Sequence, residues 1–177
     1  MADTCPGEKF KEGVIIPSAC ETIKEEVIRK KTTDLLLEKG YLLEDLKEEV
    51  PYNLQTDQEL FQLKVSFVIQ LEGRYPVLIK CGAGSILARE RPALALSRLF
   101  TDYQIPLTIV TNGEDATLLD TLTGETLGCG LSAIPDKNHL LSQWEDLKFL
   151  PLPEKRIPLE KRILSAFEAL GLHGECH

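Results

Sequence analysis

Phe61-Gln62-Leu63-Lys64-Val65-Ser66-Phe67-Val68-Ile69-Gln70-Leu71 decides the fold. Phe61, Leu63, Val65, Phe67, Ile69 and Leu71 fall at every second position, with Gln62, Lys64, Ser66, Val68 and Gln70 between them. Side chains of a strand alternate between its faces, so this spacing predicts one long strand with one apolar face. Glu72-Gly73-Arg74 reads as a tight turn. Tyr75 to Cys81 reads as a second strand, antiparallel to the first.

Toward the C-terminus, Gly82-Ala83-Gly84-Ser85 predicts a loop. A helix is expected over about 91–103, with Pro92 in its first turn. Ile105 to Thr111 is a short apolar run of the kind found in buried strands. Asn112-Gly113 marks a turn into a returning strand at 117–120, and Thr123-Gly124 turns again. The helix can carry the chain across to a parallel strand by the usual right-handed connection. Later helices are expected over 138–146 and from Pro158 to Leu170, joined by Leu150-Pro151-Leu152-Pro153.

Toward the N-terminus, Lys47 to Asn53 predicts a short strand that Pro51 confines to an edge or a bend. Before it a helix is expected from Ala19 to Lys39, with Ser18 and Glu21 as a capping box and Gly40 as its stop. Ile23, Val27, Leu35 and Leu36 would form its apolar stripe. The fold class is therefore α/β, a mixed central sheet flanked by helices. The divisions are an arm at 1–17, a core at 18–130 and a C-terminal helical extension at 131–177.

The 177 residues, 43% hydrophobic and 27% charged, suit one globular domain. The net charge of −8 opposes nonspecific binding of a polyanion over the whole surface, though not through a local basic cleft. No apolar run spans a bilayer, and the first residues lack a signal-peptide pattern, so a cytoplasmic location is expected. Cys5, Cys20, Cys81, Cys129 and Cys176 are odd in number and contain no CxxC, which predicts reduced thiols.

The element order resembles the restriction-endonuclease-like, or PD-(D/E)XK, nuclease fold. More narrowly, the chain is similar to the N-terminal nuclease domain of the type I restriction enzyme R (motor) subunit and its small stand-alone relatives. The resemblance rests on Glu25-Glu26-Val27-Ile28-Arg29, Lys39-Gly40-Tyr41, Val65-Ser66-Phe67-Val68, Leu78-Ile79-Lys80-Cys81-Gly82-Ala83 and Ile109-Val110-Thr111-Asn112-Gly113. It implies an aspartate on the first long strand and an acid-x-lysine on the second. Two carboxylates would hold Mg²⁺, and the lysine would help the attacking water.

In that register the aspartate position is Ser66, the acid is Lys80 and the lysine is Gly82. A shifted register would put the lysine on Lys80 and the acid on Leu78. Cys81 and Ala83 favour the first. Both registers lose the strand acids, so the resemblance implies a degenerate site with no catalytic residue and no metal. Glu49, Glu25 and Glu26 are candidates for a migrated acid, which would restore a Mg²⁺-dependent DNA endonuclease. The leading expectation is a catalytically degenerate module without a cofactor. It would bind nucleic acid through Lys64, Lys80, Arg89 and Arg91, or bind a protein partner, with no role for a membrane.

Smaller constellations have plainer readings. Lys80 beside Cys81 could lower the thiol pKa, but a small buried residue is the commoner state of a strand-end cysteine. The Gly82 to Ser85 loop with Arg89 and Arg91 could cradle an anion, yet it is no P-loop. Arg29-Lys30-Lys31 reads as a solvated helix face pairing with its own acids. His173, Cys176 and His177 form a poor metal site at a chain end.

Overall fold

The computed structural model describes the backbone of residues 19–171 and the side chains of 23–169. The arm at 1–17, the Ser18/Glu21 capping box and the His173, Cys176 and His177 tail lie outside the described residues.

Helix α1 (Ala19–Glu38) leads into strands β1 (Leu46–Gln55), β2 (Leu60–Leu71) and β3 (Arg74–Cys81). Helix α2 (Leu87–Leu99) crosses to β4 (Leu107–Thr111), followed by β5 (Ala116–Asp120) and β6 (Thr126–Cys129). Helices α3 (Lys137–Ser142) and α4 (Ile157–Gly171) complete the order. The six strands form one sheet in the order β1-β2-β3-β4-β5-β6. Only β3 and β4 are parallel neighbours, joined through α2, and the other pairs are antiparallel. This is the mixed α/β sheet expected. No helix among the described residues is long and apolar enough to cross a membrane.

Glu72 and Gly73 both have positive φ, 49° and 74°, and Leu71 pairs with Arg74. A two-residue turn with both φ values positive matches the right-handed twist of the strands it joins. Pro51 sits on the edge strand β1, where its missing N–H removes no ladder bond from a second neighbour. Strand β6 was not foreseen; it is short, largely exposed and lacks an apolar alternation. Helix α2 starts near residue 87 and ends at Leu99, earlier at both ends than expected, and Pro92 is its sixth residue. Ala88, whose carbonyl has no N–H partner from Pro92, is exposed to solvent.

Each face of the sheet has its own core. On one, Phe67, Ile69, Val77, Ile79 and Ile109 pack with Ile28 and Leu36 of α1 and with Ile134 and Leu140 from the segment after β6. On the other, Val68 and Leu78 pack with Ala95 and Leu96 of α2 and Leu164 of α4. The stripe of α1 differs from expectation. Leu36 is buried and Leu35 packs against the core as expected, but Ile23 and Val27 are 62% and 52% exposed, and Ile28 and Thr32 face the sheet in their place. Positions 28, 32 and 36 keep the four-residue spacing of one helix face, rotated from the predicted one.

The long strand does not keep one apolar face. Phe67, Ile69 and Leu71 face α1, whereas Phe61, Leu63 and Val65 join the core beneath α2 and α4. Strand β1 makes the same exchange, with Leu46 on the α1 side and Val50, Tyr52 and Leu54 on the other. The crossing point is Glu49, at φ 47°, which falls opposite Ser66 between the pairs Glu48↔Phe67 and Val50↔Val65. A left-handed residue rotates the strand, so a perfect sequence alternation feeds two cores.

Helix α4 is fixed to α2 by charge as well as by Leu164. The Arg98 guanidinium donates to Glu160 Oε1 at 2.9 Å and to the Thr121 carbonyl at 2.9 Å. Arg156 donates to the same carboxylate oxygen at 2.8 Å.

Candidate functional site

Ser66 stands where β2 leaves β3. The two strands are paired as far as Phe67↔Ile79. Beyond that, the Cys81 amide donates to Ser66 Oγ at 2.9 Å. The hydroxyl therefore replaces a backbone carbonyl that the diverging strand no longer supplies, and a buried N–H keeps a partner. The Cys81 thiol is buried, 3.6 Å from Thr32 Oγ. Burial pushes it up to about 11, although the Thr32 and Ser66 hydroxyls and the charges of Lys80 and Arg29 pull the other way. The plain reading of this cysteine fits, and a reactive thiolate does not.

Lys80 projects to the opposite side, toward α2 and α4. Its ammonium donates to the Lys64 carbonyl at 3.2 Å. With Arg89, Leu164, Phe167 and Glu168 it lines a small space of about 10 Å³. Gly82 follows β3 and donates to the Thr111 carbonyl at 3.1 Å, extending the ladder to β4. A Cβ on Gly82 would lie 2.5 Å from Arg89 Nε and 2.7 Å from its Cζ. The guanidinium of α2 thus fills the space in which a side chain at 82 would begin. Arg89 also donates to the Ser85 carbonyl at 3.3 Å.

Glu49 reaches the same neighbourhood from β1. Its Oε1 lies 2.8 Å from Arg29 Nη1 of α1 and 3.6 Å from Lys64 Nζ of β2. Glu25 and Glu26 are exposed on α1. The Glu25 charge acts on Glu168 of α4. Burial raises the Glu168 pKa above the ordinary glutamate range, Lys80 opposes that rise and Glu25 adds to it.

The structure brings Ser66, Lys80, Gly82, Glu49, Lys64 and Arg89 into one connected neighbourhood. Arg91 is exposed on α2. The basic triplet of α1 divides, Arg29 going to Glu49 and Lys31 lying 3.7 Å from Glu114. These acids belong to other elements and not to the helix itself. Among the described residues no group of three or more His, Cys, Asp or Glu is placed to hold a metal ion. Glu168 was missed from sequence, because nothing in its surroundings on α4 reveals that the helix end meets Lys80.

The mixed sheet and its flanking helices form an α/β domain consistent with a restriction-endonuclease-like fold. The chain belongs to the family described as type I restriction enzyme R protein N terminus (HSDR_N), whose model matches residues 24–135. That match includes the whole sheet. No curated protein and no solved structure matches the chain.

Proposed function

We propose that this is a PD-(D/E)XK-type fold that no longer hydrolyses phosphodiesters and acts as a binding module. The observation that carries the reading is the Arg89 guanidinium in the side-chain space of Gly82, beside the Lys80 ammonium. Two cations occupy the strand end where the ancestral chemistry calls for an acid and a lysine around Mg²⁺. That ion wants an octahedron of oxygen ligands. Ser66 Oγ is committed to a backbone amide, and Lys80 repels a divalent cation. Glu49 is shared by two cations. These residues do not fit Mg²⁺.

The Lys80 ammonium, which donates to the neutral Lys64 carbonyl, favours a ligand that brings negative charge, on nucleic acid or on an acidic protein segment. The net charge of −8 disfavours broad attachment to duplex DNA, so binding is expected to be local. The competing reading keeps hydrolysis through Glu49 as a migrated acid. Plasmid nicking with titrated Mg²⁺ or Mn²⁺ separates the two. No cleavage and no saturable metal uptake is expected. Metal-dependent nicking that disappears in Glu49→Ala would overturn the proposal.

A further inference from the structure

Positive charge is gathered on one stretch of a chain whose net charge is −8. Lys155-Arg156-Ile157-Pro158-Leu159-Glu160-Lys161-Arg162 carries four cations in eight residues and a single acid. That acid, Glu160, is fully buried and holds Arg98 and Arg156. Lys155, Lys161 and Arg162 form no ion pair among the described residues. The nearest exposed acid in sequence is Glu154. The stretch forms a 3-10 turn, Glu154–Arg156, and the first turns of α4. Leu164 marks the inner side of that helix by packing beneath α2. Leu159, Arg162 and Ala166 are exposed at the three- and four-residue spacing of one helix face, on the side away from Leu164. Leu159 is 47% exposed and stands between the two Lys-Arg pairs, so the surface reads cation, apolar, cation.

We propose that the outer face of α4 is a docking surface for an acidic amphipathic segment of a partner protein. An apolar side chain of the partner covers Leu159, and its carboxylates meet Lys155, Lys161 and Arg162. This surface is distinct from the Lys80 cleft, because Leu159, Arg162 and Ala166 lie away from the side of α4 that lines it. Charge complementarity selects the sign of the partner: cations segregated on an otherwise acidic chain make a local positive field. Leu159 selects its class. A phosphate backbone is met by cations, hydroxyls and amides, and an exposed leucine at the centre gives it nothing. The net charge of −8 also repels a long polyanion more than a short segment with a few carboxylates. An apolar centre with a charged rim is the ordinary anatomy of a contact between proteins.

Binding needs no rearrangement of the fold. Glu160, bonded to Arg98 at 2.9 Å, and Leu164 in the core hold the inner side of α4, so the outer face is presented on a fixed support. Lys155 and Arg162 lie about one helical turn to either side of Leu159. A partner helix laid along α4 therefore meets both while its apolar stripe covers the leucine. Arg162 takes a carboxylate through its guanidinium fork, and the two lysines act as point charges.

The test uses the full chain and a fluorescent synthetic peptide, an amphipathic helix with a leucine stripe flanked by glutamates, titrated by anisotropy. Saturable binding that weakens with added salt is expected. Arg162→Glu should weaken it on the order of tenfold, and Leu159→Ser by a similar factor. Arg162→Gln should fall between Arg162→Glu and the wild type. Lys30→Glu makes the same charge change on the exposed side of α1, across the sheet, and should leave the affinity as it is. A control peptide with glutamine for glutamate should not bind. The substituted α4 positions face solvent, so thermal unfolding of these variants should match the wild type. Absence of binding by the wild type overturns the docking surface. So does an equal loss in Arg162→Glu and Lys30→Glu, which would leave net charge as the cause. Full affinity in Leu159→Ser overturns it as well, because no apolar anchor would remain. Capture of a short DNA duplex or of phosphatidylserine vesicles in place of the peptide, lost in Arg162→Glu, would give the face to nucleic acid or lipid and overturn the protein partner.

Discussion

Ser66 Oγ accepts the Cys81 amide at 2.9 Å, at the point where β2 and β3 stop pairing. A side-chain hydroxyl thereby takes the place of a strand carbonyl as acceptor within the sheet. Ser66→Ala removes the acceptor and strands a buried N–H, a loss of about 1–3 kcal/mol. Urea unfolding should show that drop with an unchanged slope against denaturant. Ser66→Thr keeps the hydroxyl and should recover much of it. An alanine variant as stable as the wild type would mean that the bond contributes nothing to the fold.

Gly82 and Arg89 make a second coupled pair. A methyl at 82 meets Arg89 Nε at 2.5 Å, so Gly82→Ala must displace the guanidinium. The expected cost is about 1 kcal/mol, typical of overpacking against a side chain that can yield. In an Arg89→Ala background the same glycine change should be close to neutral. Residues in contact show interaction energies of about 0.5–3 kcal/mol in such cycles. Additive effects would show that Arg89 does not fill that space in solution.

Much of this arrangement could be read from the chain, for reasons tied to particular residues. The hairpin was legible because Glu72-Gly73 joins two β-rich runs. The parallel step was legible because a helix separates β3 from β4. The register of Ser66, Lys80 and Gly82 came from the resemblance, which the family match over 24–135 supports at the level of the fold. What failed was the assignment of faces. Strict alternation from Phe61 to Leu71 predicts one apolar face, but the faces exchange at Ser66, opposite the left-handed Glu49 of β1, and a residue on another strand does not show in the pattern of β2. Likewise Val27 looked like core and Ile28 is core, because a helix in isolation does not show which side meets a sheet. Glu168 could not be placed, since its meaning depends on how α4 docks through Arg98 and Glu160.

That docking yields a stability prediction. Glu160 is fully buried, and Arg98 is nearly so, with side-chain exposures of 1% and 10%. Glu160→Ala leaves the Arg98 charge buried with the Thr121 carbonyl as an acceptor. Breaking a buried pair in this way costs about 3–5 kcal/mol. Arg156 holds the same oxygen from a half-exposed position, and solvent screens it, so Arg156→Ala should cost only about 1 kcal/mol. Glu160 Oε2 has no partner among the described residues, which leaves the carboxylate reliant on these two arginines. Equal losses in the two variants would contradict this division.

Cys81 gives a signature in alkaline solution. Burial raises its thiol from an ordinary 9.0 to about 11 in the folded protein. The protonated form is therefore the folded one. Below pH 9 the thiol is neutral in both states and adds no pH dependence. Between about 9 and 11 the unfolded chain releases a proton that the folded chain retains, so stability falls as pH rises. The slope from this one group approaches about 1.4 kcal/mol per pH unit. Tyr41 is also raised by burial and adds its own decline near the top of the range, so the contrast must be made between variants. Cys81→Ala should be less stable at neutral pH and yet lose less between pH 9 and 11 than the wild type. Parallel profiles for the two proteins would show that the Cys81 thiol ionises as readily folded as unfolded. Alkylation provides an independent check at neutral pH: peptide mapping should find the exposed Cys129 modified in the native protein and Cys81 protected until unfolding.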